Sequence, residues 1–323
     1  MARVITFGNL PSTPAPAAHG RELPDWAQAD PARIERSLAQ ALALPSGGWF
    51  AVDDRANITA TPRAYTIDGH ALVLWRGADG SLRAAPEACP HMGASLACAR
   101  VRGDKLVCPW HGLELGERHG KWHVHPTHDD GVLAWVRLPG EAPSDAPVLA
   151  PRPASFIAGV IRMEARCDPG DILANRLDPW HGVHYHPHSF VRLRVLEARD
   201  DLLLLRVAYK VVGPLAVEVD ATFHCPDART IVMTIVDGEG VGSLVETHAT
   251  PIAPGRTAMI EATLATSDRP GFAVARRLAA LLRPAINARA ARLWQEDIAY
   301  AERRYQLRAQ APVRLRTIQR GEP

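Results

Sequence analysis

Cys89-Pro90-His91-Met92-Gly93-Ala94-Ser95-Leu96, answered downstream by Cys108-Pro109-Trp110-His111-Gly112, decides the fold of the first half of the chain. The stretches read C-x-H, sixteen residues, C-x-x-H, so each short turn offers one thiolate and one imidazole. A [2Fe–2S] cluster of mixed ligation takes two thiolates on one iron and two imidazoles on the other. Zinc accepts the same four ligands, so the bare set does not discriminate. The surroundings do. A proline follows each cysteine, and Gly93 and Gly112 let the backbone fold closely around a cluster. A zinc finger instead pairs two cysteines in one turn and two histidines on a helix.

C-P-H-x-G-A-S-L and C-P-W-H-G closely resemble the Rieske family. The resemblance implies that Cys89 and Cys108 hold one iron and that His91 and His111 hold the other. Rieske subunits of cytochrome bc complexes join the two loops by a disulfide. Here Ala94 and Trp110 stand at the corresponding positions, so that bridge cannot form. The cluster therefore resembles the ferredoxin and oxygenase kind, with fewer polar supports and a lower reduction potential.

A chain of 323 residues has room for two domains with separate cores. A formal charge of +2 gives no nucleic-acid or membrane signature, and no apolar run approaches the length of a membrane span. Beyond the two cluster cysteines, Cys98, Cys167 and Cys225 are scattered, which suggests a reducing compartment rather than a disulfide framework. Residues 1–18 lack the apolar core of a signal peptide, so the cytoplasm is expected.

Along the chain, residues 1–47 read as a flexible tail and a helix: the Pro- and Ala-rich stretch 8–24 lacks order, and Asp30-Pro31 starts a helix reaching about Leu44. Ile34, Leu38 and Leu42 give that helix an apolar face. Residues 48–138 alternate like short strands separated by Gly, Asp and Pro turns, which predicts a small β domain around the cluster loops. His119, His123, His125 and His128 read as surface and turn residues of that domain. Residues 139–153 form a Pro-rich linker and domain boundary. Residues 154–308 hold seven alternating strands between Ser155 and Thr266, which predicts a large antiparallel sheet with one covered face. Gly238–Gly242 reads as a hairpin turn within it. A helical region then runs to about Gln306, interrupted at Pro284, and 309–323 is a C-terminal tail. Phe272–Leu282 reads as a sheet-covering helix with a solvated basic edge, in preference to a membrane-surface helix.

Asn175-Arg-Leu-Asp178-Pro-Trp-His181-Gly-Val-His184-Tyr-His186-Pro-His188 packs four histidines into eight residues. Asp178-Pro179 starts a short helix that Pro187 stops. Helical spacing puts His181 and His184 on one face, whereas His181 and His186 meet only if the helix unwinds between them. Spacing alone leaves the second imidazole open. The stretch also resembles the N-x-x-D-x-x-H-x-x-x-x-H motif of Rieske non-haem iron oxygenases, matched at Asn175, Asp178, His181 and His186. That resemblance implies that His181 and His186 bind mononuclear Fe(II), with His184 and His188 as neighbours; these two extra histidines depart from the family pattern and leave His184 or His188 open as a substitute for His186. It also implies that Asp178 bridges His181 to His111 of a neighbouring chain.

Two histidines on iron call for one carboxylate and leave positions open for O₂ and substrate. In Leu293–Glu302 the apolar stripe is Trp294, Ile298, Ala301 and Tyr305, with Asp297 beside it and Glu296 pointing roughly away. A carboxylate on a buried face needs a partner, and a metal is one. The family's third ligand lies in a similar E-D-x-x-x-x-E helix, so Asp297 is the expected ligand; an ion pair with Arg292 or Arg303 is the plainer alternative.

Together these readings predict an α+β protein: an N-terminal all-β Rieske domain, then a helix-grip catalytic domain with a large antiparallel sheet and a C-terminal helix. The resemblance implies a homotrimeric, single-subunit-type terminal oxygenase component that uses O₂ to hydroxylate, demethylate, desaturate or cyclise a small hydrophobic substrate. No flavin or nicotinamide fingerprint is present, so electrons must come from a separate NAD(P)H-dependent reductase, with or without a ferredoxin. The contrasting expectations are a Rieske electron-transfer protein whose C-terminal domain binds a partner, and a ligand-binding protein with a redox-sensing cluster.

Overall fold

The computed structural model describes residues 3–6, 24–213 and 215–310. Residues 8–23 and 311–323 of the two expected tails lie outside it. Strand β1 (Arg3–Thr6) pairs in parallel with β16, so part of the expected flexible tail is a sheet strand. Two helices follow, α1 (Asp25–Gln28) and α2 (Pro31–Leu42). Asp30 caps α2 by accepting from the Ala32 and Arg33 amides at 3.0 and 3.1 Å. Its buried face is Ile34, Leu38 and Ala41; Leu42, expected on that face, is exposed. The face ends one residue earlier than the spacing suggested, because the helix stops at Leu42 itself.

The β domain contains β2 (Trp49–Asp54), β3 (Arg63–Ile67), β4 (His70–Arg76), β5 (Leu82–Pro86), β6 (Arg100–Arg102), β7 (Lys105–Val107), β8 (Glu114–Leu115), β9 (Arg118–His119), β10 (Trp122–His123), β11 (Thr127–Asp129) and β12 (Leu133–Arg137). They form three antiparallel three-stranded sheets, β11-β12-β2, β3-β4-β5 and β6-β7-β8, and the pair β9-β10. β4 explains its own unbroken apolar run. Successive side chains point to opposite faces, so Leu72 and Leu74 pack on Phe50, Val52 and Val136, while Val73 and Trp75 pack behind Cys89, Leu96 and Cys108. The strand is thus the wall on which the cluster loops rest.

The second unit begins with β13 (Ile157–Ala165), α3 (Pro169–Arg176) and α4 (His181–Tyr185). The remaining strands are β14 (Phe190–Ala198), β15 (Leu203–Val212), β16 (Leu215–Asp227), β17 (Thr230–Gly238), β18 (Leu244–Ala253) and β19 (Arg256–Ala265), followed by α5 (Phe272–Arg277) and α6 (Ala279–Gln310). The strands run β13-β19-β18-β17-β16-β15-β14, antiparallel throughout. The Gly-rich 239–243 segment turns between β17 and β18, as expected.

One face was expected to be covered, yet β19 is buried on both. Ala258, Ile260, Ala262 and Leu264 pack against Trp49, Leu133 and Trp135 of the β domain. Met259, on the other face, packs with Trp294 and Ala301 of α6 and Ile172 of α3. The expected linker is also tied down. Arg152 reaches Asp130 of the β domain at 3.0 Å and Glu246 of β18 at 2.6 Å, all three side chains largely out of water.

The helix break falls at Leu278, between α5 and α6, and α6 continues through Pro284. Pro284 is only the sixth residue of α6, so its missing N–H costs one bond close to the helix start. α5 and the start of α6 do not cover the sheet as expected: α5 has no buried residue, and Leu281 is among the most exposed apolar side chains.

Candidate metal centres

The two cluster loops are built alike. In each, the cysteine amide donates to the carbonyl five residues on (Cys89 to Ala94 and Cys108 to Leu113, both 2.9 Å). In each, the glycine amide four residues on donates back to the cysteine carbonyl, at 2.8 Å for Gly93 and 3.0 Å for Gly112. Both glycines have positive φ (76° and 70°), which side-chain-bearing residues resist. The loops present Cys89 and Cys108 from the buried core, while His91 and His111 stand exposed with ring centroids 4.9 Å apart.

Burial pushes the Cys89 thiol above its ordinary pKa, against bonds from the His91 and Met92 amides. At Cys108 burial acts the same way, but the amides of Trp110 and His111 and the Cys89 thiol outweigh it and hold the group below its ordinary value. Backbone N–H groups aimed at both sulfurs, buried thiols and a facing imidazole pair fit a [2Fe–2S] cluster. Met92 and Trp110 are exposed beside the histidines and rim this tip with apolar surface.

The second group of donors is assembled from three elements. α3 starts at Asp168-Pro169, where the Asp168 amide donates to Asp171 Oδ2 at 3.1 Å. This helix was not anticipated, although the Asp-Pro signal equals that of α2. Buried Asp171 pairs with Arg304 and, at 2.7 Å, with Arg308, which fastens α3 to α6. Asn175 Nδ2 of α3 thereby donates to Asp297 Oδ1 of α6 at 2.9 Å. Arg33 of α2 braces the following loop, donating to the Leu177 carbonyl at 2.8 Å with its guanidinium over Trp180.

α4 starts at His181 rather than straight after Asp178-Pro179, and ends at Tyr185. His186 has φ −119° and ψ 52°, outside the helix. Pro187 accounts for this, since a residue preceding proline is pushed out of the helical region. The step out of the helix swings the His186 ring back to that of His181, 5.3 Å away between centroids. His186 Nε2 and His181 Nε2 lie 2.9 and 3.2 Å from Asp297 Oδ1. His184 points outward, exposed, with Nε2 2.8 Å from Asp25 of α1. His188 is 3.7 Å from Glu296.

One donor atom from each of His181, His186 and Asp297 lies within 4.8 Å of the others. Neighbouring ligands of one ion stand about 3 Å apart when each is roughly 2.1 Å from it, so these separations and this donor set fit a divalent iron. Asp297 is buried, and no ion pair to Arg292 or Arg303 is present among the described residues. The histidines and Arg176 overcome burial and hold its carboxyl far below the ordinary range. Burial lowers the His181 pKa, but Asp178 and Asp297 outweigh that and raise it to about 9.

Asp178 is buried, with Oδ2 3.6 Å from His181 Nδ1 and receiving a hydrogen bond from Tyr300 at 3.3 Å. Tyr300 also stacks on the His181 ring at 5.2 Å. It follows Asp297 by three residues, so the helical repeat alone would have pointed to it. Glu296, expected to point away, contacts His186 Nδ1 at 2.6 Å. Successive helix residues differ by about 100°, so a neighbour of Asp297 flanks the site rather than opposing it. Beside the site, Phe190 lies 6.3 Å from His186 and leads to a sheet patch with Leu193, Tyr209, Met233 and Ile235. Ile231, from the same sequence run, belongs to a different cluster, the core beneath α2.

The class defined by this fold and these two donor sets is that of the Rieske non-haem iron oxygenases. The chain belongs to the family described as a domain of unknown function, DUF5914, matched over residues 138–312, and its residues 48–138 are a Rieske [2Fe–2S] domain. It is 36% identical over 73 residues to the vanillate O-demethylase oxygenase subunit of Pseudomonas sp. (strain HR199 / DSM 7063), covering 23% of this chain and 21% of that protein. The chain thus spans about a fifth to a quarter of the length of such curated relatives. The fold matches dicamba monooxygenase bound to dicamba with a TM-score of 0.66 at 17% identity, covering 85% of this chain and 92% of that one. It matches the oxygenase in the reduced oxygenase–ferredoxin complex of carbazole 1,9a-dioxygenase with a TM-score of 0.58 at 14% identity, covering 91% of each.

Proposed function

We propose that the chain is a terminal oxygenase component that oxidises a small hydrophobic organic substrate with O₂, by hydroxylation, demethylation, desaturation or cyclisation. The observation that carries the reading is the convergence of His181, His186 and Asp297, with Asn175 and Asp178 beside them. When bound, a [2Fe–2S] cluster supplies single electrons and a mononuclear Fe(II) supplies O₂ activation.

The residues of the chain have distinct parts in this reading. Cys89, His91, Cys108 and His111 hold the cluster; His181, His186 and Asp297 hold the single iron. Asn175 fixes the Asp297 carboxylate by its amide, and Glu296 fixes the His186 tautomer through Nδ1. Asp178 orients His181 and offers a carboxylate to a cluster histidine, His111 of a neighbouring chain in a homotrimer. Phe190, Leu193 and Met233 make an apolar wall that excludes water and suits a hydrophobic substrate. Electrons come from a separate NAD(P)H-dependent reductase, with or without a ferredoxin between, and the cytoplasm is the expected location. The carbazole dioxygenase oxygenase, which forms a complex with a ferredoxin, supports that arrangement.

The test combines the purified chain with a surrogate ferredoxin and reductase, NADH and a panel of aromatic and terpenoid compounds. O₂ uptake coupled to an oxidised product is expected, and His186→Ala should abolish the product while the cluster still takes up electrons. NADH oxidation by the chain alone would contradict the need for a reductase.

A further inference from the structure

From Arg269 to Gln295 the chain carries six arginines and no aspartate or glutamate, although the whole protein is nearly balanced at 37 basic and 35 acidic side chains. This segment forms α5 and the first half of α6. Val274, Leu278, Leu281 and Leu282 fall at i, i+4, i+7 and i+8, one face of a helix. The break at Leu278 keeps that face in phase: its amide donates to the Val274 carbonyl and the Leu282 amide donates to the Leu278 carbonyl, both at 3.2 Å.

Such a stripe ordinarily faces a core. Here its four side chains are 58%, 48%, 75% and 39% exposed. α6 meets the sheet only further along, where Ile286 and Asn287 press against Gly159 of β13. Arg269 and Arg283 are paired with Glu239 and Asp54, and Arg289 bonds backbone carbonyls. Arg276 and Arg277 have no ion-pair partner among the described residues. Arg277 lies at the edge of the stripe and is long enough to reach past it, whereas Arg276 falls on the opposite side of the helix.

We propose that this face docks on the surface of an anionic phospholipid bilayer. A line of aliphatic side chains edged by Arg277, in a segment with arginines and no acidic side chain, matches the boundary between acyl chains and phosphate headgroups. A wholly acidic protein patch would leave the leucines without a partner. No helix among the described residues is long and apolar enough to cross a membrane, so the contact is peripheral.

The test sediments the full-length chain with vesicles of phosphatidylcholine alone or mixed with phosphatidylglycerol. Binding to the mixed vesicles is expected, weakened by salt and about tenfold or more weaker on phosphatidylcholine alone. Leu278→Asp with Leu281→Asp should reduce it by about tenfold or more at unchanged melting temperature. Arg276→Glu with Arg277→Glu should reduce it by a similar factor and flatten the salt dependence. A wild-type chain that stays in solution with anionic vesicles overturns the proposal, as does full binding by the leucine variant. Sedimentation velocity without vesicles should be the same for variant and wild type; a smaller assembly in the variant assigns the face to contacts between copies instead. Loss of ferredoxin binding in both variants with vesicle binding intact assigns it to the redox partner.

Discussion

The two donor sets follow opposite designs. The cluster loops are two local turns of like hydrogen bonding, with buried thiols and exposed imidazoles, resting on one strand. The mononuclear set draws on both ends of α4 and on α6, braced by Asn175 of α3, which is separated from Asp297 by more than a hundred residues, both largely out of water. A site made by short loops tolerates an open, solvent-facing edge, which suits electron exchange with a partner. A site made by distant elements depends on the packing that joins them, and that packing also excludes water from it.

The largest separation between the designs should come from His186→Ala. Loss of one proposed iron ligand should reduce turnover by about a thousandfold or more, roughly 4 kcal/mol in barrier, while the reduced cluster's EPR signal persists. If both signals disappear together, the sites are not independent. Next comes Arg152→Ala, which leaves buried Asp130 without an ion pair and buried Glu246 with only His248, 3.6 Å away, where the two units meet. It should destabilise the fold by about 3–5 kcal/mol in a urea titration. A cost below about 1 kcal/mol would mean that apolar packing alone joins them.

Tyr300→Phe removes one hydrogen bond to Asp178 while keeping the ring stacked on His181. Single-turnover reoxidation of the cluster should slow by about tenfold, with its EPR spectrum and iron content unchanged. An unchanged rate would restrict Tyr300 to packing.

The smallest effect concerns the β domain. Burial, with His123 and His70 nearby, lowers the His125 pKa from 6.5 to about 4. Between those values the unfolded chain takes up a proton that the folded chain refuses, so stability falls as pH drops below 6.5 towards about 4. Partial exposure of the ring limits the loss to about 1 kcal/mol. His125→Gln should flatten that part of the stability profile; an unaltered slope would assign it to other groups.

The same contrast explains what could be read before folding. The two facing turns that carry Cys89 with His91 and Cys108 with His111 were legible because one turn holds each pair, and spacing within a turn is geometry. Strands β13 to β19 were legible from alternation, but the burial of both faces of β19 was not, because a small residue such as Ala258 reads as neither core nor surface. His186 could not be separated from His184 by helical spacing, since the decisive feature is where the helix stops; Pro187 held that information. Glu296 and Tyr300 were missed although both lie within a helical turn of Asp297. The exposed Val274–Leu282 stripe has the pattern of a core-facing helix, and only the position of the sheet shows that it is not one.

The most direct measurement is iron and acid-labile sulfide per chain in anaerobically purified protein, with EPR of the reduced sample. About three irons to two sulfides with a Rieske signal are expected, falling to about two irons in His186→Ala. About two irons to two sulfides in the wild type, unchanged by added Fe(II), would contradict that expectation.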